Sequence, residues 1–284
     1  MKLIKVLFIL PIFFFLFILF NTSISSCNKS TITHDTVTVT VVKHDTTVVV
    51  DSIYDITSGM VAYYSFNGGS LKDSSGYSNN ISFNNATVTA DRFGRPGNAY
   101  LFNGSGNYMQ VPNSQSLNPD NITLVAIVKL NGFNADACHG NQILQKGSTD
   151  IEDGLYFLRV ADWPSPCSAP LDTTQERAEA IYGDDIPQGA GANANSDSVH
   201  IRTGTWYTLT YTFDGVTAKL YINGVLKNSQ TKSVSFTDNN FDLFIGTLGD
   251  PNHPYWFNGV IDEIRIYNRA LPQGAITQLY KSTN

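Results

Sequence analysis

Between Trp206 and Leu226 the chain reads WYTLTYTFDGVTAKLYINGVL, and this stretch leaves little freedom about the fold. Asp214-Gly215 and Asn223-Gly224 are two-residue turn signals of the type I′ kind, in which both central residues take positive φ. Closing the first turn sets Phe213 opposite Val216, Tyr211 opposite Ala218, Leu209 opposite Leu220 and Tyr207 opposite Ile222. Those pairs are apolar and share one face. Thr208, Thr210, Thr212, Thr217 and Lys219 collect on the other, with Tyr221 the large exception. Alternation held in register across a turn specifies an antiparallel sheet with one apolar and one wet side. The apolar side needs a cover.

Helices are scarce in the rest of the chain. From Val61 onward short strand-like runs alternate with Gly, Asn, Asp and Ser clusters: Val61–Phe66, Ala99–Phe102, Tyr108–Val111, Ile122–Leu130, Tyr156–Val160, Phe241–Ile245 and Val260–Tyr267. A helical period appears only near the end, where Ile276, Leu279 and Tyr280 follow Pro272. A second sheet must therefore cover the first. The expectation is an all-β protein, a sandwich of two antiparallel sheets with a short C-terminal helix.

The beginning of the chain is of a different kind. Lys2 and Lys5 precede an apolar run from Val6 to Phe20, too short for a comfortable membrane span and suited to a signal-peptide core. Small and polar residues follow, ending in Ile24-Ser25-Ser26-Cys27, which resembles the lipobox of bacterial lipoproteins. Residues 1–26 are thus expected to be a signal peptide and Cys27 the lipidated residue, tethering an exported protein to a membrane of the bacterial cell envelope. An uncleaved anchor with an incidental Cys27 is the alternative. Two near copies of one unit, His34-Asp35-Thr36-Val37 and His44-Asp45-Thr46-Thr47, mark residues 27–57 as an extended Thr/Val stalk before a domain over 58–284. The formal net charge of -6 becomes more negative once Lys2 and Lys5 are removed, and no basic run exists, which argues against nucleic acid as a partner.

Several segments occur in a telling order: Val61-Ala62-Tyr63-Tyr64-Ser65-Phe66-Asn67-Gly68, Asp73-Ser74-Ser75-Gly76, Phe93-Gly94-Arg95-Pro96-Gly97-Asn98-Ala99-Tyr100-Leu101-Phe102-Asn103-Gly104, Trp206-Tyr207 and Leu220-Tyr221-Ile222-Asn223-Gly224. The most specific comes last, Phe257-Asn258-Gly259-Val260-Ile261-Asp262-Glu263-Ile264-Arg265-Ile266-Tyr267-Asn268-Arg269-Ala270-Leu271. Together they resemble the laminin-G-like branch of the concanavalin A-like lectin/glucanase superfamily over about residues 59–282. The resemblance implies a jelly-roll sandwich of two curved sheets, often with a calcium ion, serving in binding or adhesion. Residues 131–205 depart from it as a long, loop-rich insertion.

Asp262 shares strand parity with Val260, Ile264 and Ile266, and a carboxylate on the apolar side must be compensated. Asp73 sits in a turn-rich loop, and the resemblance implies that the first and last strands are neighbours. Asp73, a Gly76 carbonyl, Asn79 and Asp262 are accordingly the candidate ligands of a structural calcium ion, which takes about six to eight oxygens. The competing expectation is that Asp73 caps its own turn and Asp262 pairs with Arg265 or accepts backbone amides. Cys138 and Cys167 are expected to form a disulfide in an exported chain, closing a loop of about 30 residues worth roughly 3 kcal/mol. Zinc, helped by His139, is the weaker alternative because a fourth ligand is missing.

Glucanases of the resembled superfamily carry acidic residues at alternate strand positions, with the catalytic pair about 5 Å apart. Here the alternate neighbours of Asp262 are Val260 and Ile264, so that pattern is absent, and no nucleophile elbow, phosphate loop or zincin helix occurs. Binding remains. Trp163 in a Pro-stiffened loop, and Tyr255 and Trp256 after a turn-rich stretch, are the candidate ligand-binding aromatics; the alternative is that they plug the end of the sandwich. The expected function is a non-catalytic binding or adhesion module for a glycan or a cell-surface or matrix protein. A glycoside hydrolase and a purely structural protein-interaction domain are the rivals.

Overall fold

The computed structural model describes residues 38–44, 47–133, 140–147, 156–161, 176–184, 191–234, 236–250 and 254–283, with the backbone alone for 38–44, 47–52, 197 and 198. The signal segment 1–26, Cys27, Cys138, Cys167 and Trp163 lie outside the described residues.

Within the segment expected to be a stalk, the described residues form a hairpin. Strands β1 (Thr38–His44) and β2 (Thr47–Ile53) pair antiparallel, Thr38 opposite Ile53 and His44 opposite Thr47. Two β-prone runs close together satisfy each other's backbone groups rather than leaving them to water. Residues 54–57 already belong to the sandwich: the Tyr54 N–H donates to Gln278 Oε1 (2.7 Å), and the Tyr267 hydroxyl donates to the Ile56 carbonyl (2.9 Å).

The sandwich begins with β3 (Met60–Tyr64), β4 (Phe83–Asn84), β5 (Thr87–Thr89), β6 (Ala99–Asn103), β7 (Met109–Val111) and β8 (Ile122–Leu130). Strands β9 (Asn141–Lys146), β10 (Tyr156–Ala161), β11 (Arg177–Tyr182) and β12 (Ala194–His200) follow. The chain ends with β13 (Trp206–Phe213), β14 (Thr217–Ile222), β15 (Val225–Thr231), β16 (Leu243–Ile245), β17 (Asn258–Tyr267) and helix α1 (Gln273–Ser282). One sheet has the order β12-β11-β10-β9-β16-β7-β4. The other runs β15-β14-β13-β8-β17-β6-β5, with β3 paired to the far half of β17. Every pairing is antiparallel. The described residues within 131–205, expected to be a loop-rich insertion, supply β9 to β12, four of the seven strands of one sheet.

The opening hairpin keeps its face but not its register. Tyr211 lies opposite Leu220 and Phe213 opposite Ala218, two residues away from the pairing a two-residue turn would give. The reason is Asp214, whose Oδ1 accepts the N–H groups of Val216 (3.0 Å) and Thr217 (2.7 Å) and draws Val216 into a longer loop. Gly215 alone takes positive φ there (94°). A slip of two preserves parity, so Leu209, Tyr211 and Phe213 still enter the core. The second turn is as expected: Asn223 (φ 53°) and Gly224 (φ 74°) connect Ile222 directly to Val225.

Inward residues of the two sheets meet in one core, with Leu124, Ala126, Val128, Ile261, Ile264 and Ile266 on one side and Leu144, Leu158, Val160, Leu243 and Ile245 on the other. Each such side chain, fully buried, contributes about 1.5–3 kcal/mol. The threonine face of β13 is not wet after all, since Thr208, Thr210 and Thr212 are buried. On that outer side Leu271, Ala275, Ile276 and Leu279, from α1 and its approach, pack against Val125, Tyr221 and Tyr267. Helix α1 thus adds a third, partial layer to the outside of the eight-stranded sheet.

Candidate binding face

The last strand carries a bulge that the alternation of its sequence conceals. Pairing of β17 with β8 slips between Ile261 and Glu263, so Ile261 lies opposite Val128 while Ile264 lies opposite Ala126. Both isoleucines reach the core, and Asp262 is the extra residue. Its parity with Ile264 therefore does not carry it inward. Asp262 Oδ2 instead accepts the Arg92 N–H (3.0 Å) and Arg92 Nη1 (2.6 Å). Burial pushes the Asp262 carboxyl above its usual range, against the pull of the Arg92 amide and guanidinium. Arg265 pairs with Glu263 rather than Asp262, Nε to Oε1 at 2.5 Å.

The proposed calcium ligands take separate partners. Asp73 Oδ1 accepts the N–H groups of Tyr63 (2.9 Å) and Ser75 (2.8 Å). Its Oδ2 accepts the Ser75 hydroxyl (2.8 Å) and the Asn79 N–H (2.9 Å). A carboxylate offers about four lone-pair sites, and all are occupied, by donors from the turn and by the Tyr63 N–H of β3. Asn79 Nδ2 donates to the Val61 carbonyl and Ser116 Oγ, while its Oδ1 accepts the Ser114 hydroxyl. Gly76 takes φ 97°, which the turn requires. Asp73, Gly76, Asn79 and Asp262 do not fit a shared calcium ion: Asp73 caps its own turn and Asp262 faces a guanidinium. Among the described residues no group of three or more His, Cys, Asp or Glu side chains could hold a metal.

The aromatic residues converge on the outer face of the seven-stranded sheet. On β16, Leu243 and Ile245 enter the core, so Phe244 between them faces out. Its cross-strand neighbours are Gln110 on β7 and Gln145 on β9. Phe83 lies opposite Gln110, Phe157 opposite Gln145, and Ile181 opposite Phe157. One outward row therefore crosses the sheet as Phe83, Gln110, Phe244, Gln145, Phe157 and Ile181.

Tyr108 bridges the rings of this face, with centroids 4.7 Å from Phe83, 6.2 Å from Phe244 and 6.1 Å from Trp256. Phe83 is 40% exposed, and Tyr108, Phe244 and Trp256 are half-buried. Trp256 is turned out because the next residue, Phe257, is wholly buried against Phe102. Tyr255 takes φ 46°, and its carbonyl accepts the Gln142 N–H (3.0 Å), which fixes this segment to β9. Trp206, by contrast, lies on β13 with Lys129 Nζ 5.2 Å from its ring centre.

Beside the rings lies a polar network. Gln142 Nε2 donates to Gln145 Oε1 (2.8 Å), both side chains are buried, and Gln142 Oε1 has no hydrogen-bond partner among the described residues. Arg159 pairs with Glu179 (2.8 Å) and stacks on Phe157, its guanidinium carbon 4.5 Å from the ring centre. Asn193 Nδ2 donates to the second Glu179 oxygen (2.9 Å). Ring faces for apolar patches, beside amides that both donate and accept, are what a small polyhydroxylated ligand needs. Tyr255 and Trp256 were legible as candidates, but Phe83, Tyr108 and Phe244 were missed; the Leu-Phe-Ile alternation of β16 was the available signal.

A family model described as the concanavalin A-like lectin/glucanases superfamily, of laminin-G type, matches residues 103–277. Among solved structures, the binding domain of Paraclostridial Mosquitocidal Protein 1 superposes with a TM-score of 0.59 at 17% identity, covering 80% of this chain and 53% of that one. The botulinum neurotoxin serotype D binding domain gives 0.55 at 20% identity, with 80% and 52% covered. Domain 4 of AbnA, an extracellular arabinanase of Geobacillus stearothermophilus solved with arabinotriose, gives 0.52 at 24% identity, with 78% and 98% covered. The chain thus spans about half the length of the toxin domains it matches. None of the curated protein sequences matches it. The two-sheet architecture and the family match over most of the sandwich agree, and the chain belongs to the concanavalin A-like lectin/glucanases superfamily.

Proposed function

We propose that this chain is a non-catalytic carbohydrate-binding module that grips its ligand on the outer face of the seven-stranded sheet. The observation that carries this is the cluster of Phe83, Tyr108, Phe244 and Trp256 rings around the half-buried amide of Gln110. Aromatic faces stack on the C–H faces of sugar rings, and a partly exposed amide between them can meet ring hydroxyls. The arabinanase domain, matched over nearly its whole length and bound to arabinotriose, supports the same ligand class. The export signal and Cys27 support a protein tethered to the cell envelope by lipid.

Hydrolysis is the weaker reading. Asp262 and Glu263, the adjacent acids of the last strand, each hold a guanidinium, and Glu179 is held by Arg159 and Asn193. A glycan-array screen of the protein against its Trp256→Ala and Phe244→Ala variants tests the proposal. Glycan signals that fall at least tenfold in both variants are expected. No glycan signal at all, with capture of a cell-surface protein instead, points to the protein-adhesion reading.

A further inference from the structure

A second polar site lies on the opposite side of the sandwich, at the β17 bulge. A cleft of about 280 Å³ is lined there by Tyr63, Arg92, Phe93, Arg95, Asp262 and Glu263, among others. Its rim is the loop after β5. Asp91 holds that loop in shape, its Oδ1 accepting the N–H groups of Phe93 (2.9 Å) and Arg95 (2.9 Å) and its Oδ2 accepting Arg95 Nε (2.6 Å). Phe93 is left 53% exposed, with the guanidinium carbons of Arg92 and Arg95 at 4.6 and 4.9 Å from its ring centre.

The charges of this cleft are not used alike. The Arg92 guanidinium is taken up by Asp262 and by the Thr283 carbonyl, and Arg265 by Glu263 and the face of Tyr63. Arg95 gives only its Nε to Asp91; its side chain is 58% exposed, and its two terminal amino groups have no partner among the described residues. A planar fork of free N–H groups held on a phenyl ring is a docking point for a carboxylate or sulfate. Deeper in, Asp262 Oδ1 and Glu263 Oε2 take no donor from the described residues and can accept hydroxyl groups. Those same carboxylates repel a second anion, which rules out polyphosphates and polyanionic strands as a fit.

We propose that this cleft binds a sugar ring carrying a single anionic group, the anion on Arg95 and the hydroxyls on Asp262 and Glu263. The ligand class is an acidic saccharide, with a uronate unit as the simplest example. The site is independent of the aromatic face and stands whether or not that face binds glycan.

Calorimetric titration of the full chain in detergent tests this with three probes: a xylotriose bearing one glucuronate, plain xylotriose, and a monosulfated disaccharide. The glucuronate-bearing sugar is expected to bind at least tenfold more tightly than the plain one, and less tightly in 0.5 M salt. Arg95→Gln and Phe93→Ala should each abolish that preference, and Trp256→Ala should leave it intact. Tighter binding of the sulfated probe, lost in Arg95→Gln, assigns the anion as sulfate and supports the site equally. The proposal is overturned if neither anionic sugar is preferred, if the preference survives both cleft variants, or if only Trp256→Ala removes it.

Discussion

Lys146 gives the sharpest quantitative test of this fold. It lies on β9 opposite Leu243 and Tyr156, both core residues, and is wholly buried. Its Nζ donates to Asn239 Oδ1 (2.7 Å) and the Phe241 carbonyl (2.8 Å). Burial lowers its pKa from 10.5 to about 8, although Asp242 and Asp238 pull the other way. The folded state therefore releases this proton before the unfolded chain does. Below about pH 8 both states hold it and its contribution is constant. Between about 8 and 10.5 the unfolded chain binds more protons, so stability rises with pH, by up to about 1.4 kcal/mol per unit and about 3 kcal/mol in total. For a domain of this size that corresponds to roughly 6 to 12 °C in melting temperature. The assay is urea unfolding of the wild type and of Lys146→Met from pH 6.5 to 10.5. Subtraction cancels the other titrating groups, and the cost of orphaning the Asn239 and Phe241 acceptors in the variant remains as an offset that does not change with pH. The difference should be flat to about pH 8 and then climb in favour of the wild type. Parallel curves across the whole range would refute a buried, protonated Lys146.

Other outcomes follow from the geometry. Gly259→Ala should cost about 3 kcal/mol in denaturant unfolding, because its Cβ would lie 2.3 Å from the Lys129 carbonyl oxygen and 2.9 Å from Leu130 Cα, neither of which can yield. Arg92→Met should lose about 3 kcal/mol by stranding Asp262, and the double variant with Asp262→Asn should recover most of it; independent, additive losses speak against the pair. Chelator should leave the melting temperature unchanged, as the fully committed Asp73 carboxylate leads one to expect, whereas a drop of several degrees restores a calcium site. Cys27→Ser should move the expressed protein from the detergent phase to the aqueous phase in cloud-point partitioning; unchanged partitioning counts against lipidation there.

What could be read from the sequence follows from how local each signal is. Asn223-Gly224 dictates its turn through two backbone conformations, and the turn is there. Asp214-Gly215 looks equivalent, but the Asp214 carboxylate binds two amides and wins a longer loop. The bulge at Asp262 is a two-against-one alignment with β8, a property of the pair that one strand cannot declare. Strands β9 and β11 were passed over because their outward residues, Gln142, Gln145 and Glu179, are polar yet buried, which breaks the link between polarity and exposure. For the candidate site, Trp256 announced itself by its size and its turn-rich surroundings. Phe83, Tyr108 and Phe244 became a group only when β4, β7 and β16 were set side by side.

The seam between Tyr54 and α1 has a directional consequence. Tyr54 exchanges two hydrogen bonds with Gln278, and Gly274 leaves room for its ring, since a Cβ there would come within 2.2 Å of it. The polypeptide consequently enters the folded body on the helix-bearing flank, behind the sheet built around β17. The Trp256 rings occupy the opposite flank. A ligand seated on the rings therefore leaves the seam between Tyr54 and Gln278 uncovered, since the two lie on opposite faces of the sandwich.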